Sequence, residues 1–299
     1  MIDKQVLKAV RIKPGENVRL REIDTRWPNG GLKGDLDHYR SLATELLRDN
    51  LEQLAQKQEL LYADDRHALL IILQAMDAAG KDSTIKHVMS GVNPQGCQVF
   101  SFKRPSAEEL DHTFLWRCMR ALPERGRIGI FNRSYYEDVL VTRVHPQWLE
   151  QQQLPDGKRG KRFWRDRYED INGFERHLAR NGTAVLKFYL HLSRDEQKKR
   201  FLDRLDEPDK HWKFSLADLA ERAHWDDYLD AYDDAIAATS TAWAPWHVIP
   251  ADHKWACRAL VAEIICKTLD GLNLRYPRAT EQDRAALAAA RRQLTQESR

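Results

Sequence analysis

The segment of residues 69–85, LLIILQAMDAAGKDSTI, joins an apolar run, a loop of small residues and a polar stretch that suits a helix. A buried strand that enters a helix through small residues points several backbone N–H groups and the helix N-terminus at one place. Lys81 follows Gly80 and adds a positive charge there. The segment predicts a loop that binds phosphoryl groups, and a plain strand-to-helix turn with an exposed lysine is the alternative.

The loop departs at two positions from the pattern G-x-x-x-x-G-K-[ST] that many phosphate-binding loops share. Ala75 stands at the first glycine, and Asp82 stands where a serine or threonine would hold magnesium. Asp82, or Asp77 inside the loop, offers a carboxylate to the ion in place of a hydroxyl. In many such proteins another strand of the sheet ends in an aspartate that binds magnesium, but here that strand ends in Asn132. This favours Asp77 and Asp82 as the magnesium ligands.

A second segment, IGIFNRSYYEDVL at residues 128–140, is an apolar strand followed by polar side chains. The carboxyl ends of strands carry the ligands in open α/β sheets, so Asn132 and Arg133 are predicted at the site, with Arg133 facing phosphate. Glu137 is a further site candidate. For Asp138, a solvated position in the first turn of a helix is as good an interpretation, because the helix dipole favours acids there.

A third segment, residues 192–214, is rich in cations. Arg200 and Arg204 are four residues apart and share a helix face, and Lys210 and Lys213 follow. A basic helix and loop of this kind can close over a phosphate chain and exclude water. A salt-bridged surface helix is the alternative, because acidic residues are interspersed among the basic ones.

Two other basic stretches add charge. Lys103 and Arg104 follow the second predicted strand, near the same sheet edge. Residues 158–167 hold six cations: Lys158, Arg159, Lys161, Arg162, Arg165 and Arg167. This stretch could steer a long polyanion, but we favour a solvated loop, as is usual for charge runs. Nucleic acid is not expected as the ligand, because the net charge is only +3 and no zinc-finger spacing or aromatic RNA-binding signature occurs.

The composition bounds the class of protein. The 299 residues are 42% hydrophobic and 31% charged, which suits a soluble globular protein. The N-terminus lacks the apolar stretch of a signal peptide, and no apolar run approaches the roughly 18 residues of a membrane-spanning helix. The sequence thus predicts a cytoplasmic protein without a membrane partner. Its four cysteines form no C-x-x-C pair, which indicates reduced packing thiols.

Strand-like runs alternate with segments long enough for helices, which predicts a parallel sheet covered on both faces. The five runs are Leu69–Gln74, Gln98–Phe102, Ile128–Asn132, Ala184–Leu192 and Trp246–Pro250. Ser106 and Ser193 each open a capping box before a predicted helix. We expect a single domain with an N-terminal helical extension at residues 33–65, including a long amphipathic helix over Leu36–Tyr62. A lid module is predicted at 193–224 and a charged tail at 278–299.

No H-R-D-like catalytic loop and no Ser-His-Asp motif stands out, so the sequence names no base that would activate a hydroxyl. An acceptor that is itself a phosphate needs no strong base. Positioning, magnesium and cationic side chains would suffice.

The chain resembles the family-2 polyphosphate kinases from about Val10 to Tyr276. The resemblance is carried by long ordered motifs, among them LQAMDAAGKDSTIKHVMSGVNPQG, SFKRPSAEELDHTFLWR and FNRSYYEDVLVTRVHP. It implies a three-layer α/β/α P-loop kinase fold with a central parallel sheet and a helical lid. It also implies transfer of phosphoryl groups between inorganic polyphosphate and nucleotides.

Carried over by position, the resemblance implies catalytic roles for Asp77, Lys81 and Arg133, with Lys81 on phosphate and Asp77 on magnesium. Asp82 and Asp138 are the other candidate metal ligands. Ser83 is a departure, since many relatives have glycine there. The remaining candidate contacts to phosphate or nucleotide are Ala78, Ala79, Gly80, Asp82, Ser83, Lys103, Asn132, Glu137, Arg200, Arg204, Lys210 and Lys213.

The form N-R-S-Y-Y-E-D at residues 132–138 resembles the subgroup that accepts both AMP and ADP. We therefore predict a reversible, Mg²⁺-dependent kinase that phosphorylates AMP and ADP from polyphosphate and yields ATP, with Mn²⁺ as a substitute ion and GMP and GDP as further candidate acceptors. The resemblance suggests a homodimer or homotetramer. The alternatives are an ADP-only enzyme, an ATP-dependent nucleotide kinase and a non-catalytic polyanion-binding protein.

Overall fold

A five-stranded parallel sheet forms the centre of the protein. A computed structural model describes residues 4–27 and 35–297. The strands are β1 (Ala68–Ala75), β2 (Cys97–Ser101), β3 (Ile128–Asn132), β4 (Thr183–His191) and β5 (Trp246–Pro250). Their spatial order is β2-β3-β1-β4-β5. The five predicted strands are confirmed, with ends that differ from the prediction by one residue at most.

The register of the sheet brings the functional segments together. Leu73 of β1 lies opposite Asn132, the last residue of β3. On the other side of β1, Ala75 pairs with Leu190 near the end of β4. Because parallel strands end at one edge, the loop after β1 lies beside the segment after β3 and the helix after β4.

Thirteen α-helices surround the sheet in the described part of the chain. They are α1 (Lys4–Val10), α2 (Leu36–Asp64), α3 (Lys81–Val88), α4 (Ala107–Leu110), α5 (Trp116–Met119), α6 (Glu137–Val144), α7 (Pro146–Glu150), α8 (Lys161–Arg180), α9 (Arg194–Asp206), α10 (Leu216–Glu221), α11 (Trp225–Thr239), α12 (Lys254–Gly271) and α13 (Glu281–Glu297). Short 3-10 segments occur at Leu20–Glu22, Pro94–Gly96, Pro208–Lys213 and Arg222–His224.

Two hydrophobic cores lie on opposite faces of the sheet, which confirms the three-layer α/β/α prediction. One core joins the sheet to α6, α8 and α11 and includes the buried Phe131, Ile171 and Ile236. The other joins it to α2, α3 and α12 and includes Leu54 and Leu260. Alternate side chains of a strand point to opposite faces, so strands with both faces covered are predominantly apolar.

The predicted helix starts are partly confirmed. Ser106 caps α4 through a complete capping box with Glu109. The helix ends after one turn, however, and a second short helix, α5, begins only at Trp116, whereas the sequence predicted one continuous helix. Ser193 caps α9 by accepting from the Glu196 N–H at 3.1 Å.

The predicted terminal segments also fold as helices. The N-terminal extension contains α2, which runs from Leu36 to Asp64 and packs on α12, while residues 33 and 34 lie outside the described residues. The tail forms α13, whose residues are all exposed, and residues 298 and 299 lie outside the described range. The four cysteines are free thiols. None of the helices within 4–27 and 35–297 combines the length and the apolar character needed to cross a bilayer.

Candidate functional site

The loop of residues 76–80 joins β1 to α3 and ends in a left-handed glycine. Gly80 has φ +102° and directly precedes Lys81, the first residue of α3. No side chain caps this end of the helix, and the first-turn N–H groups of a helix have no acceptor within it. These amides and the dipole of α3 form an anion-binding end, in the strand–loop–helix geometry that the sequence predicts.

Lys81 lies at this end of α3 and keeps most of its hydrogen-bonding capacity. Its Nζ donates one bond, to the Ala75 carbonyl oxygen at 3.0 Å, and an ammonium has three donors. Burial lowers the pKa of Lys81 and the charge of Arg133 lowers it further, while Asp77 and Glu137 oppose both effects. No ion pair in the described residues includes Lys81, so two of its N–H groups are available to a ligand.

Arg133 reaches the same place from β3. It has φ +65°, a left-handed conformation that is uncommon for a residue with a side chain. Its N–H donates to the Leu73 carbonyl at 3.1 Å, which ties the turn to β1. The guanidinium forms an ion pair with Asp77 at 3.2 Å. The charge of Glu137, and next that of Asp77, raises the pKa of Arg133, so it is a permanent cation.

A cavity of about 220 Å³ opens between the loop and α10. Asp77 and Arg133 line it, and Lys81, the third predicted catalytic residue, donates to the carbonyl of Ala75, which also lines it. Asp77, Arg133 and Glu137 line one side. Aromatic side chains line another part of the wall. The main lining residues beyond the loop are Trp148, Gln197, Asp218, Glu221, Arg222, Trp225, Tyr228 and Tyr232.

Asp82 and Ser83, at the start of α3, are both bonded to neighbouring elements. The Asn132 side chain donates to Asp82 Oδ1 at 2.5 Å, and Arg258 of α12 donates to Ser83 Oγ at 2.8 Å. Unlike Asp77, Asp82 is not among the residues that line the cavity. Of the two loop aspartates proposed from sequence, Asp77 is the one positioned to meet a ligand in it.

The lid helix α9 supports the loop from behind, and this changes the prediction for Arg200. The sequence predicts that Arg200 faces the ligand, but its side chain is 5% exposed. It donates to the carbonyl oxygens of Ala78, Ala79, Ala251 and Asp252 at 2.7–3.1 Å and pairs with Glu196 at 2.9 Å. The prediction that Arg200 contacts the ligand is therefore wrong. All the N–H donors of its guanidinium are already hydrogen-bonded, so Arg200 positions the loop instead.

A glutamine of α9 reinforces this support. Gln197 donates to the Asp77 carbonyl at 2.9 Å, so α9 holds consecutive carbonyl groups of the loop. With its carbonyls held on the lid side, the loop is fixed in the conformation that exposes the α3 amides.

The other lid cations lie further out. Arg204 donates to the Lys213 carbonyl at 3.2 Å and lies 3.7 Å from Asp218, so it bridges parts of the lid. Lys210 pairs with Glu207 at 2.5 Å. Lys213 is exposed and lies over the Trp212 ring at 5.0 Å. Of these residues, the two lysines are the ones whose charges are open to solvent.

A second cavity, of about 180 Å³, adjoins the first and shares Arg133 and Glu137 with it. Its other cations are Lys103 and Arg104, both predicted near this edge, and Arg117, which the sequence analysis missed. Arg117 is 9% exposed and donates to the Lys103 carbonyl at 2.8 Å.

Asp138 forms part of the wall of this second cavity and is not the solvated residue that one interpretation of the sequence offers. It is 4% exposed and accepts from Gln152 at 2.6 Å. Burial raises the pKa of Asp138 to about 6, although Arg117 and Arg167 act against the rise. A metal role for Asp138 stays a prediction, and Asp77 lies in the other cavity.

The basic stretch at 158–167 divides into two kinds of residue. Five of its six cations are exposed, and α8 already begins at Lys161. Arg167 is 5% exposed; it donates to the Asp138 carbonyl at 2.7 Å and to Gln152 Oε1 at 2.5 Å. It is therefore a structural residue of the second cavity, and the solvated interpretation fits only the other five.

A buried charged group behind the β3 segment was not anticipated. Lys187 of β4 and Glu175 of α8 form an ion pair at 2.6 Å, and both side chains are fully buried. Tyr135 and Tyr136 each donate a hydroxyl hydrogen bond to Glu175. The signal in the sequence is a lysine inside an apolar strand, which must have a partner in the core.

The described residues contain no group of three or more His, Cys, Asp or Glu side chains placed to hold one ion. Asp77 and Glu137 both line the first cavity. Mg²⁺ in phosphate sites is commonly held by one or two carboxylates, with substrate oxygens and water completing the shell. The donor set fits an ion that arrives with phosphate.

Comparison with known proteins agrees with the geometry. A family model described as polyphosphate kinase 2 matches residues 38–277. An ADP-polyphosphate phosphotransferase of Rhodopseudomonas palustris is 53% identical over 290 residues, covering 96% of this chain and 98% of the relative. An AMP/ADP-polyphosphate phosphotransferase of Meiothermus ruber is 46% identical over 274 residues, covering 91% and 96%. The crystal structure of a polyphosphate kinase 2 from Arthrobacter aurescens TC1 superposes with a TM-score of 0.82 at 41% identity, covering 94% of this chain and 95% of that one.

Proposed function

The chain belongs to the polyphosphate kinase 2 family, whose members named above are polyphosphate:nucleotide phosphotransferases, and we propose that this enzyme phosphorylates both AMP and ADP from inorganic polyphosphate. The single observation that carries the proposal is the meeting of two cations at one anion-binding loop. Lys81 follows the loop after β1 and Arg133 follows β3. Asp77 lies 3.2 Å from Arg133, and both of them line the cavity.

The transfer exchanges one phosphoanhydride bond for another. An oxygen of the acceptor's terminal phosphate bonds to the terminal phosphorus of the polyphosphate, the bridging P–O bond breaks, and the shortened polyphosphate takes the electron pair. Negative charge on the transferring group is spread over its oxygens in a loose transition state. Lys81 and Arg133 supply fixed positive charge to those oxygens. Because the bond made resembles the bond broken, the reaction is reversible.

No general base is required in this scheme. The acceptor phosphate is already ionised at neutral pH, unlike the hydroxyl that a protein kinase must activate. The enzyme must instead align two polyanions that repel each other. Helix α9 contributes by holding the loop through Gln197 and Arg200. Closure of the lid over the cavity would exclude water from the transferring group.

We propose magnesium as the cofactor, with Mn²⁺ as a substitute. Asp77 would hold the ion, with Glu137 of the same cavity as a second carboxylate. When bound, the ion neutralises charge on the phosphate oxygens and orients them. The ion pair with Arg133 holds the Asp77 carboxylate at the cavity.

The acceptor is assigned to the first cavity. Aromatic rings of Trp148, Trp225 and Tyr228 line it and offer faces on which a purine can stack. The sequence N-R-S-Y-Y-E-D supports use of AMP as well as ADP. Of the two relatives, that of Rhodopseudomonas palustris is named for ADP and that of Meiothermus ruber for both AMP and ADP. We further propose a cytoplasmic homodimer or homotetramer, which light scattering tests.

To test the proposal, the enzyme is incubated with AMP or with ADP in separate reactions that contain long-chain polyphosphate and magnesium. The nucleotide products are separated and measured over time. Formation of ATP from ADP, and of ADP followed by ATP from AMP, is expected. Turnover of ADP alone would overturn the dual-acceptor proposal. Parallel reactions with ATP and no polyphosphate test the nucleotide-kinase alternative, and binding of polyphosphate without any product would favour a non-catalytic protein.

A further inference from the structure

A group of cations lies beside the loop but outside both cavities. Lys254 opens α12 and is exposed, and Arg258, one turn later, is half-buried. Neither residue lines the first or the second cavity. Arg258 donates to Ser83 Oγ at 2.8 Å. Because Ser83 belongs to the first turn of α3, which begins at Lys81, the group is next to the proposed phosphate site.

Neither of these two residues forms an ion pair with a carboxylate in the described ranges. Arg200, whose charge acts on both, does pair with Glu196. Burial lowers the pKa of Lys254, the charges of Arg200 and Arg258 lower it further, and Glu196 opposes these effects. Like charges held close together destabilise the folded state. An anionic ligand would remove that cost.

We propose that Lys254 and Arg258 bind the interior phosphates of a long polyphosphate chain whose terminal phosphate lies at Lys81. This inference rests on the proposed function, and it adds to that function a preference for long chains. A helix rises 1.5 Å per residue, so Ser83 follows Lys81 by about 3 Å along the axis of α3, within the same first turn. A chain that passes around the first turn of α3 would meet Lys81 first and Arg258 and Lys254 next.

The chemistry of the group favours polyphosphate over other anions. Polyphosphate carries a charge on each repeating unit, so cations placed in sequence along a path each find a partner. An acceptor nucleotide has its charge at one end, and the aromatic-lined cavity already offers a place for it. Lys210, on the lid, contributes to the field at Lys254, so the path continues toward the exposed edge of the lid.

The double variant Lys254→Gln/Arg258→Gln tests the inference. We expect the Kd for long-chain polyphosphate, measured by titration calorimetry, and the KM for it to rise about tenfold or more, because two charge-assisted contacts are lost. The Kd for pyrophosphate, which has no interior phosphate, should change less than threefold. The KM for ADP should not change. Higher salt should reduce the difference between the double variant and wild type in the Kd for long-chain polyphosphate.

The matched control is Lys161→Gln/Arg162→Gln, which removes the same charge from the exposed basic stretch of α8. It should leave all these constants within about twofold of wild type. The charge-retaining variant Lys254→Arg/Arg258→Lys should restore most of the affinity for long chains, which separates loss of charge from loss of the Ser83 contact. Thermal unfolding of each variant confirms that it is folded.

Several results would overturn the inference. One is an unchanged affinity of the double variant for long chains. Another is an equal loss of affinity for long-chain polyphosphate and for pyrophosphate, which would assign the two residues to the terminal phosphate. A raised KM for ADP would assign them to the nucleotide instead. Failure of the proposed function has a different signature, because the wild-type protein would then turn over no polyphosphate of any length.

Discussion

Two lysines of this protein lie in the interior near the same sheet, and their surroundings differ. Lys187 is 0% exposed and has a partner for every N–H: Glu175 at 2.6 Å, the Tyr136 hydroxyl at 2.9 Å and the Thr239 carbonyl at 2.7 Å. Lys81 is partly exposed and donates to one backbone carbonyl. The hydrogen-bond donors of Lys187 are all satisfied within the fold, whereas those of Lys81 would be satisfied only by a bound anion.

The difference separates a structural charge from a functional one. Burial lowers the pKa of both lysines. At Lys187 the hydrogen-bonded Glu175 carboxylate counteracts it, whereas at Lys81 the charge of Arg133 adds to it and Asp77 and Glu137 oppose it without a hydrogen bond to the lysine. A buried ion pair with all its hydrogen bonds made holds elements in place. A cation that keeps free donors at a helix N-terminus is costly to the apo protein and suited to phosphate. The two lysines should therefore respond differently to substitution.

The largest effect is expected at Lys187. The variant Lys187→Met leaves the Glu175 carboxylate buried without a counter-charge, and we expect it to lose about 3–5 kcal/mol of unfolding free energy. Denaturant unfolding measures this. The control Lys187→Met/Glu175→Gln removes both charges while keeping an acceptor for the tyrosine hydroxyls, and it should recover at least half of the loss. A cost below about 1 kcal/mol for the single variant would show that the pair is not structural.

The next effect is expected at Lys81 and concerns rate. Lys81→Met should lower kcat about 10²- to 10³-fold, as removal of one preorganised donor does elsewhere. Its unfolding free energy should stay within about 1 kcal/mol of wild type, because the change breaks no ion pair. Steady-state kinetics and thermal unfolding on one preparation check both. Retained activity would refute the catalytic role of Lys81. A large loss of stability would show that Lys81 has a structural role, as Lys187 does.

Asp138 extends the comparison to a buried carboxylate without an ion pair. Its pKa is raised from 3.8 to about 6, so the folded protein binds this proton more readily than the unfolded chain does. The contribution of Asp138 to stability is thus greatest below about pH 4 and is lost as the pH rises through 6, by about 3 kcal/mol in total.

Asp138→Asn should remove this dependence. Urea unfolding at each pH should show that wild type loses stability relative to the variant as the pH rises from 4 to 7. A difference that is constant with pH would mean that Asp138 titrates normally.

Arg200 is the intermediate case, a buried cation whose donors are committed to the loop. Arg200→Met leaves carbonyl groups of the loop without donors and should cost about 1–3 kcal/mol of stability. It should also lower kcat/KM for polyphosphate about tenfold by loosening the loop. Arg204→Met, on the same helix but bonded only within the lid, is the matched control and should keep its stability within about 1 kcal/mol. Equal effects for both would argue that α9 does not position the loop.

The sheet could be predicted because each strand is a short apolar run between polar segments, and the edge that carries the site follows from parallel pairing. The helix after Ser106 was predicted too long, since a capping box sets where a helix begins but not where it ends. Arg200 was misplaced, and Asp138 was left between two interpretations, for a related reason. Periodicity shows which residues share a helix face, whereas the partner that covers the face depends on distant segments, here the loop and Gln152.

The assignment of Lys81 and Arg133 to one site needed only the ends of two adjacent strands. The pairing of Lys187 with Glu175 needed the three-dimensional packing of α8 on β4, which no local pattern encodes. Lys187 still gave a signal, as a charge within the run AVLKFYL. The partners of Lys254 and Arg258 could not be deduced from spacing, because Ser83 lies 175 residues away from Arg258.

The most direct test of the difference between the two lysines is a side-by-side measurement of kcat, per folded molecule, for Lys81→Met and for Lys187→Met/Glu175→Gln with ADP and long-chain polyphosphate. We expect the first variant to be folded and nearly inactive, and the second to be less stable than wild type but to retain at least about a third of its kcat below its unfolding temperature. Activity in the first variant, or its absence from the folded second variant, would contradict the separation of a functional from a structural lysine.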